Sequence, residues 1–209
     1  MDKVEYKKAY KELYLPKNQP VLVEVPPILF AVIDGQGDPN EEAFSMVVGA
    51  LYGFSYTVKM SYKSKDVPKE FYDYTVFPLE GVWDLVDKAK PSTDKSNFAY
   101  AAMIRQPDFL TSELFDRFIL ETKSKKANVA LDRIRLETIT EGLCCQMLHV
   151  GSYDDEPASF EMMKQFCADH GYERTSLKHR EIYLSDPRKT EPEKLKTVLR
   201  FKVRKTENK

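Results

Sequence analysis

The chain has 209 residues, 42% of them apolar, and its 32 basic and 33 acidic side chains leave a formal net charge of −1. That balance gives no basic surface to draw in nucleic acid or an anionic membrane, and the apolar content supports a proper core in one large domain or two fused small modules. No apolar run approaches the ~20 residues that span a bilayer. The charged start Met1-Asp2-Lys3-Val4-Glu5-Tyr6 does not read as a signal peptide. Three unevenly spaced cysteines, Cys144, Cys145 and Cys167, fit neither a disulfide framework nor a zinc site. Cys144 and Cys145 read as buried thiols of a reducing, cytoplasmic compartment.

Residues 1–20 read as an N-terminal extension, 21–130 as a first module and 131–209 as a second. In the first module, Leu29-Phe30-Ala31-Val32-Ile33-Asp34-Gly35 is an apolar strand closed by a turn. A helix over 40–62 follows, with Phe44, Val47, Val48, Leu51, Ser55 and Val58 at spacings of three and four and Asn40 as N-cap. Gly49 and Gly53 each cost that helix ~1 kcal/mol relative to Ala, for which close packing is one compensation. Strands are expected over 74–79 and 98–105, then a helix over 109–126 that ends in Lys123-Ser124-Lys125-Lys126, where Lys suits the helix dipole. The module boundary falls at 127–132.

The second module opens on the strand Cys145-Gln146-Met147-Leu148-His149-Val150-Gly151, in which Cys144 and Cys145 face opposite ways. A helix over 157–169 follows, with Pro157 at its first position and Phe160, Met163, Phe166 and Cys167 as its stripe. Gly171 closes it, and strands are expected over 180–184 and 198–203. The halves share a spacing, Gly35–Asp38–Phe44 and Gly151–Asp154–Phe160. The expected fold is therefore α+β, with two tandem strand–helix–strand–strand modules, antiparallel sheets and pseudo-twofold symmetry around a central ligand cleft.

Several of these segments resemble the GyrI-like (gyrase-inhibitor-like) small-molecule-binding family, which is related to the effector-binding domains of multidrug-responsive regulators. The resemblance is carried by His149-Val150-Gly151-Ser152-Tyr153-Asp154-Asp155-Glu156-Pro157, by Gly171-Tyr172-Glu173, by His179-Arg180-Glu181-Ile182-Tyr183-Leu184-Ser185-Asp186-Pro187-Arg188, and by Leu195-Lys196-Thr197-Val198-Leu199-Arg200. Phe30-Ala31-Val32-Ile33-Asp34-Gly35 and Pro78-Leu79-Glu80-Gly81-Val82-Trp83 fit in the first half. The chain is most similar to stand-alone members without a DNA-binding domain. Some of those are hydrolases of cyclopropyl-bearing quinoline xenobiotics, an activity implied here by resemblance only.

The candidate site follows from both lines of reading. A period of two puts Glu181 and Tyr183 on one face of their strand. The resemblance implies that Glu181 is a buried acid facing the ligand, and the alternative is a salt bridge to Arg180, Lys196 or Arg200. Glu80 lies near Trp83, the only tryptophan, whose indole offers a stacking face worth ~0.5–2 kcal/mol to a cation. Tyr52, Tyr56, Tyr100 and Tyr153 sit on or after elements that line a cleft, and His149 ends a strand. No metal site, phosphate loop, nucleophile elbow or cofactor motif is present in the sequence.

Two functions compete. One is a sequestering or sensing protein, monomer or homodimer, that binds small aromatic or cationic molecules. The other is a cofactor-independent hydrolase of small aromatic xenobiotics with Glu181 and Glu80 as acid and base. The separation of those two carboxyls discriminates between them. A transcription regulator fits poorly, because the 1–20 stretch is too short for a helix-turn-helix domain.

Overall fold

The computed structural model describes residues 3–125 and 127–206. In chain order the elements are α1 (Tyr6–Ala9), α2 (Lys11–Tyr14), β1 (Val21–Val25), β2 (Ile28–Gln36), α3 (Glu42–Lys59), β3 (Leu79–Leu85), β4 (Phe98–Arg105), α4 (Ser112–Lys125), β5 (Arg135–Ile139), β6 (Gly142–Val150), α5 (Glu156–Asp169), β7 (Tyr172–Arg174), β8 (His179–Tyr183) and β9 (Lys196–Lys205). The protein is thus α+β, with antiparallel strand pairing throughout the registered ladders. Among the described residues no helix is long and apolar enough to cross a membrane.

By contacts the chain falls into two compact units. The first comprises 1–6, 28–79 and 84–139, and the second 7–27, 80–83 and 140–209. Residues 7–27 and the middle of β3 therefore belong with the second unit, and the last switch between units comes at 139/140 rather than at 127–132.

In the first unit β2 lies between β4 and β5, with Phe30 opposite Arg105 on one side and Glu137 on the other. Ala31, Val32 and Ile33 are fully buried at its centre. Helix α3 buries Val47, Ala50, Leu51, Phe54, Ser55 and Val58, while Phe44 and Val48 are only half-buried. Its N-cap is Glu41, and Asn40 instead closes a turn on Asp38 Oδ1. A Cβ on Gly49 or Gly53 would meet Asn128 Nδ2 or Thr122 Cγ2 at 3.6 Å, an ordinary contact, so packing does not compel glycine there. Helix α4 begins at Ser112, and Lys126, to which it was expected to run, lies outside the described residues.

The strand expected over 74–79 forms instead as Leu79–Leu85, and Tyr74 makes only a single bridge to Val4. Pro78 accounts for the shift: it has no N–H to give a ladder, so pairing starts after it. Strands β1, β5 and β7 were not anticipated. Each is short, at five, five and three residues, and too brief to declare a period.

In the second unit the strand order is β1–β6–β9–β8, with Glu80–Trp83 of β3 paired to β8 and β7 paired to the end of β9. Alternation divides this sheet into two faces. On one, Cys145, Met147, Leu199, Phe201 and Val203 close a core with Met163 and Cys167 of α5. On the other lie Cys144, Gln146, Val198, Arg200, Arg180 and Ile182. Cys144 and Cys145 thus do face opposite ways, and burial pushes the Cys144 thiol up to about 12. Helix α5 starts at Glu156 with Pro157 second, and Gly171, at φ +74°, follows its C-cap His170.

Candidate functional site

The strand pair β3–β8 sorts the candidate acids. Gly81 stands opposite Glu181 and Trp83 opposite His179, whereas Glu80 stands opposite Ile182 and Val82 opposite Arg180. Side chains in register share a face. Glu181, Tyr183, His179 and Trp83 therefore lie on the α5 face, and Glu80 and Arg180 lie on the other.

Glu80 is 1% exposed. Its Oε2 accepts from Arg180 Nη1 at 2.7 Å and its Oε1 from the Tyr14 hydroxyl at 3.1 Å. Arg180 also pairs with Glu141 at 2.9 Å, and Glu141 reaches Arg200 at 3.1 Å. Arg200 in turn donates to Gln146 Oε1 and to the Leu13 carbonyl. Burial alone opposes the charge on Glu141, but Arg180 and Arg200 overcome it and hold the carboxyl below its ordinary value. Burial likewise opposes the charge on Arg180, and Glu141 and Glu80 hold its pKa above the ordinary value. Two arginines and two glutamates thus neutralise one another inside the sheet face that residues 12–14 cover. The structure does not bring Glu80 and Glu181 together.

Glu181 sits in a different setting. Its Oε2 accepts from the Tyr183 hydroxyl at 2.7 Å, and its Oε1 accepts from His179 Nε2 at 3.0 Å. The Tyr183 oxygen accepts in turn from Trp83 Nε1 at 2.9 Å. Gly81 makes this chain possible: a Cβ there would lie 2.7 Å from Trp83 Nε1 and 3.3 Å from the Tyr183 oxygen. Burial, then the Glu181 charge, raises the Tyr183 pKa well above normal, so its proton stays on to hold the carboxylate. The alternative of a Glu181 salt bridge to Arg180, Lys196 or Arg200 is not seen among the described residues, and the strand register places all three on the other face.

A residue missed from the sequence completes the cluster. Glu156, the first residue of α5, is 6% exposed and hydrogen-bonded to Glu181. Burial, the Glu181 charge and that hydrogen bond push its carboxyl up to about 10. One carboxyl of the pair is therefore protonated at neutral pH, the usual outcome for two acids in a dry site. Glu156 stood within the motif that carried the resemblance, but its position just before Pro157 reads as a helix start and not as a site. His179 was overlooked although the sequence carried a signal for it: two residues before Glu181 on the same strand, it shares that residue's face.

The other expected residues fall as follows. The Tyr153 ring meets Tyr183 edge-on at 6.0 Å, and burial followed by the Glu181 charge pushes its hydroxyl up to about 12. His149 is buried and spent on structure: Nε2 donates to the Ser152 carbonyl at 2.9 Å, which leaves Nδ1 to accept the Ser159 hydroxyl at 2.9 Å. Tyr52, Tyr56 and Tyr100 belong to the first unit. Tyr52 takes the Leu79 N–H on its hydroxyl, Tyr56 is 55% exposed, and Tyr100 covers Gly35 and packs edge-on against Phe44. A separate open groove of about 560 Å³ is lined by Lys8–Leu13, Glu24 and Pro26 and includes none of these residues.

Comparison with known proteins shows the family and the fold. Residues 18–204 match the profile of the GyrI-like small molecule binding domain. A conserved protein from Listeria innocua is 38% identical, with 97% of this chain and 100% of that one aligned and a TM-score of 0.91. A hydrolase from Listeria innocua is 37% identical over the same shares, with a TM-score of 0.90. The EcmrR C-terminal domain shares the fold at 15% identity, covering 90% of this chain and 98% of its own, with a TM-score of 0.57. No curated protein sequence matches the chain.

Proposed function

The chain belongs to the GyrI-like small molecule binding domain family, and we propose that it binds small aromatic, often cationic, molecules at the Trp83–Tyr183–Glu181–Tyr153 face of its second unit, as a sequestering or sensing protein. One observation carries the reading. Glu181 is a carboxylate held between a phenol and an imidazole, with 12% of its side chain open to solvent. The arginines of its own and the neighbouring strand turn away from it. A carboxylate so placed has a cation still to meet, and Trp83, Tyr153 and Tyr183 supply aromatic walls.

A second reading is favoured by the Glu156–Glu181 pair. One carboxyl holds a proton and the other is ionised, which is what acid–base hydrolysis requires of two neighbouring acids. Glu156 takes the part once assigned to Glu80. The similarity to the Listeria innocua hydrolase supports this alternative, with small aromatic xenobiotics of the cyclopropyl-quinoline type as substrates.

The test is Glu181→Gln, assayed with a cationic and a neutral quinoline of matched shape and with mass-spectrometric product analysis. Under the binding reading the cation loses at least about tenfold in affinity and the neutral compound loses little, since the lost partner is a desolvated charge. Under the hydrolase reading wild type forms a product and the variant does not, even from a neutral compound that still binds. Equal binding of both compounds by variant and wild type, with no product from either protein, would remove Glu181 from the site.

A further inference from the structure

We propose that His179 is an internal cation for Glu181 and competes with a cationic ligand for that carboxylate. Cationic aromatic molecules bind with release of a proton and more tightly as pH rises, whereas neutral ones bind alike at every pH. The inference rests on the reading of the Glu181 face as the ligand site, and goes beyond it by naming the group that sets the charge of that face.

His179 stands two residues before Glu181 on β8, and the period of two turns both side chains to the α5 face. Its Nε2 lies 3.0 Å from Glu181 Oε1, while the Tyr183 hydroxyl holds Oε2. Solvent reaches both partners, with 23% of the His179 side chain and 12% of the Glu181 side chain exposed. The imidazole meets Phe160 of α5 edge-on at 4.8 Å and lies opposite Trp83 in the β3–β8 register. A cation that reaches Glu181 along the Trp83 side therefore arrives beside this ring.

The two ring nitrogens have separate tasks. Nε2 donates to the carboxylate whether or not the ring is charged. Nδ1 lies on the exposed side, 3.5 Å from the Leu177 carbonyl, and is the nitrogen that takes up or gives up the second proton. Imidazole makes that change between about pH 5 and pH 8. Protonated, the ring neutralises Glu181, and a ligand cation brings a second positive charge to a single negative one. At a separation of ~6 Å and an effective dielectric of ~20, that repulsion weakens binding about a hundredfold. Neutral, the ring keeps its hydrogen bond and leaves the charge of Glu181 to the ligand. The surrounding groups are Tyr183 on β8, Glu156 at the start of α5, and Tyr153 and Asp154 in the turn before it. Burial, first of all, keeps the proton on Glu156, Tyr153 and Tyr183 through this range. Asp186, beyond β8, is paired with Arg188. On the far side of the ring Arg174 of β7 lies over Phe160 and donates to the Leu177 and Lys178 carbonyls. Protonation of Glu181 itself would also weaken a cation, and a variant separates the two causes.

The probes are (1-naphthylmethyl)trimethylammonium, whose charge is fixed, and neutral 1-methylnaphthalene. Both are titrated calorimetrically into wild type and His179→Gln at about pH 5.5, 6.5 and 8.5, a range that spans the imidazole titration. Wild type is expected to bind the cation at least about tenfold more tightly at the alkaline end than at the acid end, and the neutral probe within about twofold throughout. At about pH 6.5, heats in two buffers of different ionisation enthalpy should count a proton released with the cation and none with the neutral probe. Nitrogen NMR of the His179 ring should move toward its neutral form as the cation is added. His179→Gln keeps an N–H for Glu181 but cannot titrate. It should hold its cation affinity within about threefold over the range, and at the acid end bind the cation at least about tenfold more tightly than wild type.

A wild-type cation affinity that changes by less than about threefold with pH overturns the proposal. A tenfold change that survives in His179→Gln overturns it too, since it would belong to the carboxyl. So does cation binding with no proton released and no change at the His179 ring. The proton count and the ring signals decide the matter even where the variant folds poorly. Should the cation bind wild type equally well at every pH, the proposal fails and the ligand face stands. Should wild type bind neither probe at any pH, both fall together.

Discussion

Replacing Glu156 with glutamine is expected to stabilise the protein at neutral pH, by an amount that grows as pH rises. The carboxyl is pushed up to about 10 from an ordinary 4.5, first by burial and then by the charge and hydrogen bond of Glu181. The folded state therefore holds a proton that the unfolded chain has released above about pH 4.5. Wherever the folded state binds more protons, stability falls with rising pH, here by up to about 1.4 kcal/mol per pH unit. Accumulated from pH 4.5 to 7, the loss from this one group is about 3 kcal/mol. Glutamine cannot ionise, keeps the size and still donates to Glu181, so the variant escapes the loss. For a chain of this length the gain corresponds to roughly 6–12 °C in Tm. Urea unfolding of both proteins between about pH 5 and pH 8 measures it. The two stabilities should nearly meet at the acid end and separate steadily above it. A gap that stays constant with pH, or closes as pH rises, refutes a buried, protonated Glu156.

Arg180→Met leaves Glu80 and Glu141 buried without their shared guanidinium, and should cost ~3–5 kcal/mol by denaturant unfolding at pH 7. Because Glu141 is held below its ordinary 4.5, its contribution is present above that pH and is lost as pH falls through the lower folded value. The variant should therefore lose less than wild type on acidification, and an unchanged acid limb would count against the network. Gly81→Ala puts a Cβ 2.7 Å from Trp83 Nε1 and should displace the indole from Tyr183, at ~1–3 kcal/mol of stability. Its Trp83 fluorescence should shift and its affinity for 1-methylnaphthalene should drop; an unchanged emission maximum would show that the strand accommodates the methyl.

The second half of the chain was readable from sequence because its signals are local. The β8 run alternates with a period of two, so Glu181 and Tyr183 could be placed on one face before any fold was known, and the structure has them hydrogen-bonded at 2.7 Å. Pro157 is the second residue of α5, and Gly171 follows the C-cap His170 at its other end. Where a local rule was overlooked the expectation slipped: Pro78 silences the ladder, and the strand expected before it starts just after it.

What the sequence alone determined is which residue types stand on which side of each strand, since side-chain direction is set by backbone geometry within a few residues. It also marked Glu181 as a strand acid and Glu80, just after an expected strand and near the only tryptophan, as a second candidate. Which of them meets an arginine was a question of register between chain segments about 100 residues apart. Pairing Gly81 with Glu181 placed Glu80 one residue out of phase, on the face where Arg180, Glu141 and Tyr14 neutralise it. The same tertiary packing of α5 against β6, β8 and β9 brought Glu156 to Glu181. No periodicity announces such a meeting, because the burial and mutual charge that reshape both acids exist only once the helix is seated on the sheet.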